Sequence, residues 1–299
     1  MGTPDFAVPT LKKISESRHQ LLAVVTAPDK ERGRGQKVSF TPVKEFALKN
    51  NIPVLQPEKL RGNTDFANEL KKFNADLFVI VAFRILPEEI FSIPPLGSFN
   101  LHASLLPKYR GAAPIQWALI NGETETGLTT FKLAEKVDTG NIILQQKVPV
   151  HPEDNFGILH DRLSEQGADV VLKTIDIIES GNYELLPQND SLATPAPKIT
   201  KDICKIDWNK TADELHNLIR GLSPAPGAWF IFESSVIKVY RSGIIERTDL
   251  KPGQIERTKK SLIAGCGRNA LALLEVQPEN RKRMSTEEFL RGYRNKQVF

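Results

Sequence analysis

The chain has 299 residues, 40% of them hydrophobic and 25% charged, which excludes fibrous and disordered classes and gives enough length for two separate cores. Cys204 and Cys266 are the only cysteines, too few for a disulfide framework or a cysteine-based zinc site, and with no secretory pattern at Met1–Asp5 and only short, charge-broken apolar stretches they fit a cytoplasmic protein outside the membrane. The net charge of +4 is uneven: from Lys201 onward there are 18 Lys and Arg against 12 Asp and Glu, a surplus that suits either a polyanionic partner or a solvated surface.

In chain order, the branched apolar runs Leu21 to Val25 and Asp76 to Ala82 predict buried strands of a mostly parallel sheet. Between them, Pro42 to Asn50 and Phe66 to Phe73 carry helical spacing, so the first part of the chain reads as α/β. Ser98 to His102 is a further strand, and ligands in open α/β sheets bind where such strands end. Gly127 to Leu133 and Asn141 to Val150 are strands separated by a tight turn at Lys136–Gly140. Phe156, Leu159, Leu163, Val171, Leu172, Ile175 and Ile178 then describe a long amphipathic helix, capped by Asn155, stopped at Gly181 and closing the first domain.

The proline-bearing stretch 185–200 is expected to be a linker between a domain over residues 1–184 and another over 201–299. Thr211 to Glu214 forms a capping box ahead of Leu215, Leu218 and Ile219, which predicts one short helix. Short strands follow at Trp229 to Phe232, Val236 to Tyr240, Gln254–Ile255, Ser261 to Ala264 and Ala270 to Leu274, a pattern that suits a small barrel of the oligonucleotide-binding (OB) type.

The most informative stretch runs from Asn100 to Ile115. Residues two apart on a strand share a face, so Asn100 and His102 project together where their strand ends. Asp138, in the turn between two later strands, is placed to approach from the other side. An amide, an imidazole and a carboxylate suffice for acyl transfer to an amine: a donor holds the oxyanion and a base removes the amine proton, without a metal or a covalent intermediate. Each residue alone also has a plain structural explanation, since an Asp-Thr-Gly turn, a backbone-satisfying Asn and a surface His are all common.

The motifs Asn100-x-His102-x-Ser104-Leu105-Leu106-Pro107, Arg110-Gly111-Ala112-Ala113-Pro114-Ile115 and Asp138-Thr139-Gly140 together resemble the folate-dependent formyltransferases. Gly2-Thr3-Pro4-Asp5-Phe6 and Ile206-Asp207-Trp208 extend the likeness over nearly the whole chain. The resemblance implies a Rossmann-like domain joined to an OB-like barrel, with Asn100, His102 and Asp138 as the catalytic set and Ser104, Leu105, Leu106 and Pro107 lining a site for 10-formyltetrahydrofolate. It further implies that the formyl group passes to the amino group of methionine carried by initiator tRNA. The loop from Asp29 to Lys37 would then engage the acceptor end through Lys30, Arg32, Arg34 and Lys37, Arg34 above all. No metal is expected, and the chain is expected to act as a monomer.

Two features depart from the family pattern. A first strand ordinarily precedes the Gly-Thr-Pro-Asp-Phe segment, and without it the sheet is expected to lose a central strand and expose apolar edges. The loop Ala82 to Pro87 is one residue short and carries Arg84 beside the expected folate pocket. The competing readings are a formyltransferase for a small amine, against which the basic loop and barrel argue, and a catalytically silent RNA-binding relative.

Overall fold

The computed structural model describes residues 1–32 and 37–294. The chain divides into two compact units, one comprising Met1–Pro114, Glu125–Pro149 and His160–Ala196, the other Ile115–Thr124, Val150–Leu159 and Pro197–Phe299.

The main elements of the first unit are α1 (Val8–Ser15), β1 (Val24–Val25), α2 (Pro42–Lys49), β2 (Val54–Leu55), α3 (Thr64–Lys72), β3 (Phe78–Val81), β4 (Ser98–His102), β5 (Glu125–Lys132), β6 (Ile142–Pro149) and, from His160 onward, the long helix α4 (Phe156–Ser180). Local chemistry accounts for the helix starts. Thr41 caps α2 by accepting from the Lys44 N–H, Asn63 caps α3 by accepting from the Phe66 N–H, and Asn155 accepts from Ile158 N–H at 3.0 Å at the head of α4. Leu159, Leu163, Val171, Ile175 and Ile178 of α4 are buried, which is the face that the spacing predicts.

Strands β1 and β2 pair in parallel, as do β3 and β4, whereas β5 and β6 join antiparallel in the order β3-β4-β5-β6. The first half of the sheet is thus parallel, while β5 runs antiparallel to both β4 and β6, joined to β6 by the nine-residue connection 133–141 that carries Asp138. Val25, Phe66, Leu70, Phe78, Ile80 and Ile90 form one buried cluster under this half.

Met1 and Gly2 lie between the two pieces of sheet. Gly2 N–H donates to Val25 O at 3.0 Å, Val81 N–H donates to Met1 O at 2.9 Å, and the Met1 amine donates to Val79 O at 2.6 Å. Beside them is a cavity of about 580 Å³ whose walls include Ala23, Val24, Leu70, Phe78, Val79 and Ile175. Met1 and Gly2 thus bridge β1 and β3 at one end of this cavity. Burial lowers the pKa of the Met1 amine to about 5.

In the stretch expected as linker, Leu186 exchanges both backbone hydrogen bonds with Ile142, and Pro195–Ala196 pair in parallel with Arg110–Gly111. These bonds carry the chain along the first unit as far as Ala196.

In the second unit α5 (Ala212–Gly221) opens with the predicted capping box, Thr211 and Glu214 each bonding the other's backbone N–H. The strands β7 (Ala228–Phe232), β8 (Ser235–Ile245), β9 (Ile255–Arg257), β10 (Leu262–Gly265) and β11 (Ala270–Pro278) form an antiparallel sheet in the order β7-β8-β11-β10-β9, with Met284–Ser285 added to β11. A terminal helix, α6 (Thr286–Arg294), contributes buried Phe289 and Leu290 to the same core as Leu215, Ile219, Ile237 and Leu271. This curled sheet with its helices is the OB-like domain. β8 runs through Ile245 and its register against β11 shifts between Val239 and Ser242, the kind of irregularity that bends a strand in a small barrel. Among the described residues, no helix is long and apolar enough to cross a membrane.

Candidate active site

β4 is held on both flanks, Asn100 standing opposite Ile80 of β3 and Phe131 of β5, and His102 opposite Thr129. Phe99 and Leu101 are buried on one face, so the alternation sends Asn100 and His102 to the other. Asn100 is half-buried, and among the described residues no protein group hydrogen-bonds its side-chain amide.

His102 is buried, with Nε2 2.8 Å from the carbonyl oxygen of Tyr109. A carbonyl only accepts, so Nε2 carries the hydrogen and Nδ1 is the nitrogen left for proton exchange. That nitrogen lies 3.8 Å from Oδ2 of Asp138. The same oxygen accepts the Gly111 N–H at 2.9 Å. Asp138 itself has a φ of 56°, a left-handed conformation that Asp tolerates better than most residues, and its side chain is only 11% exposed. The imidazole and the carboxylate, 36 positions apart in sequence, thus face one another across the end of β4.

Gly111 has to be glycine. Its φ is 125°, and a Cβ there would stand 2.7 Å from the Ala196 carbonyl oxygen. The close passage of the Pro195–Ala196 strand is what aims the Gly111 N–H at Asp138.

The loop after β4 is fastened from beneath. The Thr129 hydroxyl donates to Ser104 O at 2.6 Å and accepts the Leu106 N–H at 3.1 Å, while Gln145 Nε2 donates to Leu106 O at 2.8 Å. Ser104 is fully buried and donates to Lys108 O at 2.6 Å, and Leu106 packs against Phe131 and Ile142. Of the four residues expected to line a folate site, Ser104 and Leu106 therefore shape the loop from inside, and the half-buried Leu105 and Pro107 keep surface for a ligand.

Arg84, expected beside that pocket, turns to the segment before α3 and donates to Glu58 O at 2.9 Å and Pro57 O at 2.7 Å; its burial lowers its pKa. Its neighbour Ile85 is 71% exposed.

Of the expected tRNA contacts, Arg34 lies outside the described residues. The backbones of Lys30, Arg32 and Lys37 lie on an antiparallel hairpin in which Lys30 stands opposite Ser39 and Arg32 opposite Lys37. At its base Asp29 bonds Lys44 and Gln56, and these contacts hold its carboxylate below its usual range.

His19, Asp176 and Glu179 bring three possible ligand atoms within 4.8 Å of one another on the surface, but Arg18 already binds both carboxylates. Sequence reasoning missed the Tyr109 carbonyl, the Gly111 N–H and the residues that support them, because backbone groups leave no mark on residue type. The one available signal was the Arg-Gly pair inside the motif.

Two family models cover the chain, formyl transferase over residues 1–175 and the formyl transferase C-terminal domain over residues 198–294. The chain is 46% identical over 295 residues to the methionyl-tRNA formyltransferase of Caldanaerobacter subterraneus subsp. tengcongensis, covering 98% of this chain and 96% of that one. Against the enzyme of the same name from Alkaliphilus oremlandii the identity is 47% over 296 residues, covering 98% and 95%. Among solved structures, an N-formyltransferase from Helicobacter canadensis, in complex with folinic acid and dTDP-3-aminofucose, matches with a TM-score of 0.67 at 26% identity over 91% of this chain and 97% of that one. A sugar 3N-formyl transferase solved with dTDP and 5-N-formyl-THF shares the fold, with a TM-score of 0.68 at 24% identity over 94% and 97%. With His102 buried and facing Asp138 at the end of a sheet strand and both family models spanning nearly all of its length, the chain belongs to the formyl transferase family.

Proposed function

We propose that this enzyme transfers the formyl group of 10-formyltetrahydrofolate to the free amino group of methionyl-tRNA, the initiator form. The observation that carries the reading is the meeting of His102 Nδ1 and Asp138 Oδ2 at 3.8 Å at the end of the strand that carries Asn100, whose amide no group among the described residues engages. Full-length similarity of about 45% to enzymes of that activity supports the choice of acceptor.

In this reading the amine nitrogen attacks the formyl carbon, and the carbonyl oxygen takes up negative charge. The Asn100 amide donates to that oxygen, with His102 Nδ1 as the second group at the centre. Asp138 orients the imidazole and receives the proton that the amine loses, and this proton passes on to N10 as the folate leaves, so one C–N bond forms, another breaks and the carboxylate is restored. The Tyr109 carbonyl fixes which imidazole nitrogen takes part. Leu105 and Pro107 flank the folate, and Lys30, Arg32 and Lys37 of the hairpin, Arg34, and the positively charged second domain engage the tRNA.

The test is competition between acceptors. Radiolabelled formyl-folate is supplied with charged initiator tRNA and, in parallel, with an aminosugar nucleotide and glycinamide ribonucleotide. Label is expected on methionyl-tRNA at a kcat/KM at least about 100-fold above that for either small amine, since only the tRNA uses the cationic surface. Preferential labelling of a small amine would overturn the choice of acceptor.

A further inference from the structure

Gln188 lies far from every motif in the sequence and yet makes four hydrogen bonds around Asp138. Its Nε2 donates to the Asp138 carbonyl at 2.9 Å and to the Gly140 carbonyl at 2.8 Å. Its Oε1 accepts from Arg110 Nε at 3.0 Å and from Arg110 Nη2 at 2.7 Å. Both donors and both lone-pair sites of the amide are thereby used.

The neighbouring bonds close a circuit. Arg110 precedes Gly111, whose N–H holds the Asp138 carboxylate, so Asp138 is gripped through its side chain from one direction and through its own backbone from another. Gln188 is in turn fixed two residues beyond Leu186, which is paired to Ile142 of β6, and Arg110 N–H donates to Thr194 O at 2.9 Å. Arg110 also reaches Asp190 Oδ1 at 2.7 Å, and its side chain is only 16% exposed.

We propose that Gln188 is a positioning residue for the transfer reaction, a clamp that fixes the Asp138 turn so that its carboxylate faces His102; the inference rests on the active-site reading above. The need for such a clamp follows from the local conformation. Asp138 occupies a left-handed position in a turn next to the exposed Val137, and a turn of that kind held only by its ends would let the carboxylate swing away from the imidazole. The chemistry also selects an amide. Two carbonyl oxygens need two donors, and the Arg110 guanidinium needs an acceptor, which a Gln side chain provides at once and a Glu or Lys does not.

The test is a double-mutant cycle read in steady-state kinetics on the full-length enzyme. Gln188→Met, which keeps the length and volume of the side chain, and Gln188→Ala are each made alone and in an Asp138→Ala background. Alone, either is expected to lower kcat about 10- to 100-fold with KM for folate and for tRNA within about twofold, the scale of a small misplacement of a catalytic group. In the Asp138→Ala background the same substitutions are expected to cost less than about twofold, because the group they position is gone.

A residue that supports only the fold would lower activity equally in both backgrounds, and that additivity overturns the clamp. So does a kcat within twofold of the parent for Gln188→Met. Thermal unfolding of each variant is followed alongside, and should Gln188→Ala fail to fold, the methionine variant carries the cycle. Loss of turnover in Asp138→Ala with none in Gln188→Met rejects the clamp alone; full turnover in Asp138→Ala rejects the active-site reading and the clamp with it.

Discussion

At the scale of single residues, the amide of Asn100 and the imidazole of His102 are separated by one position on β4, and the strand's alternation alone puts them on a common face. Asn100 is half-buried and, among the described residues, no protein group engages its side-chain amide, which leaves the amide for a ligand. Asn100→Ala is therefore expected to lower kcat for formyl transfer by about 100- to 1,000-fold, the usual cost of one oxyanion donor, while KM for the folate changes little. A rise in folate KM with kcat intact would show that Asn100 binds rather than catalyses. The three members of the site were legible as residue types in a strand and a turn. Their supports were not: Tyr109 acts through its carbonyl, Gly111 through its N–H, and Gln188 reaches back 50 positions to Asp138.

At the scale of elements, periodicity predicted what packing later kept. The residues from Ser98 to His102, the long helix after Asn155 and the capping box at Thr211 appear where the pattern put them, since each couples an apolar face or a cap to one secondary structure. Strand β8 runs on past Tyr240 to Ile245 because its pairing with β11 continues through a shift of register, a property of the partner strand. The short helices α1 and α6 were not expected, although α6 is amphipathic and buries Phe289 and Leu290.

At the scale of the whole molecule, charge separates the two substrates. In the proposed function, the surplus of Lys and Arg from Lys201 onward and the cations of the hairpin act on a polyanion over many phosphates. Raising salt from about 50 to 200 mM is accordingly expected to raise KM for methionyl-tRNA by at least tenfold and to leave KM for the folate within about twofold. Parallel salt dependence for both would remove the electrostatic case for a tRNA-engaging surface.

The sequence by itself determined the α/β order of the first domain, the capped helix and short strands of the second, and the residue types of the site, because hydrophobic period, caps and turn formers act between near neighbours. Only the tertiary structure decided that Asp138 turns its carboxylate to His102 and that the stretch from Leu186 to Ala196 runs along the first unit as a support for that turn. Those outcomes depend on backbone groups meeting across tens of residues, where the energy lies in geometry and residue identity leaves almost no trace.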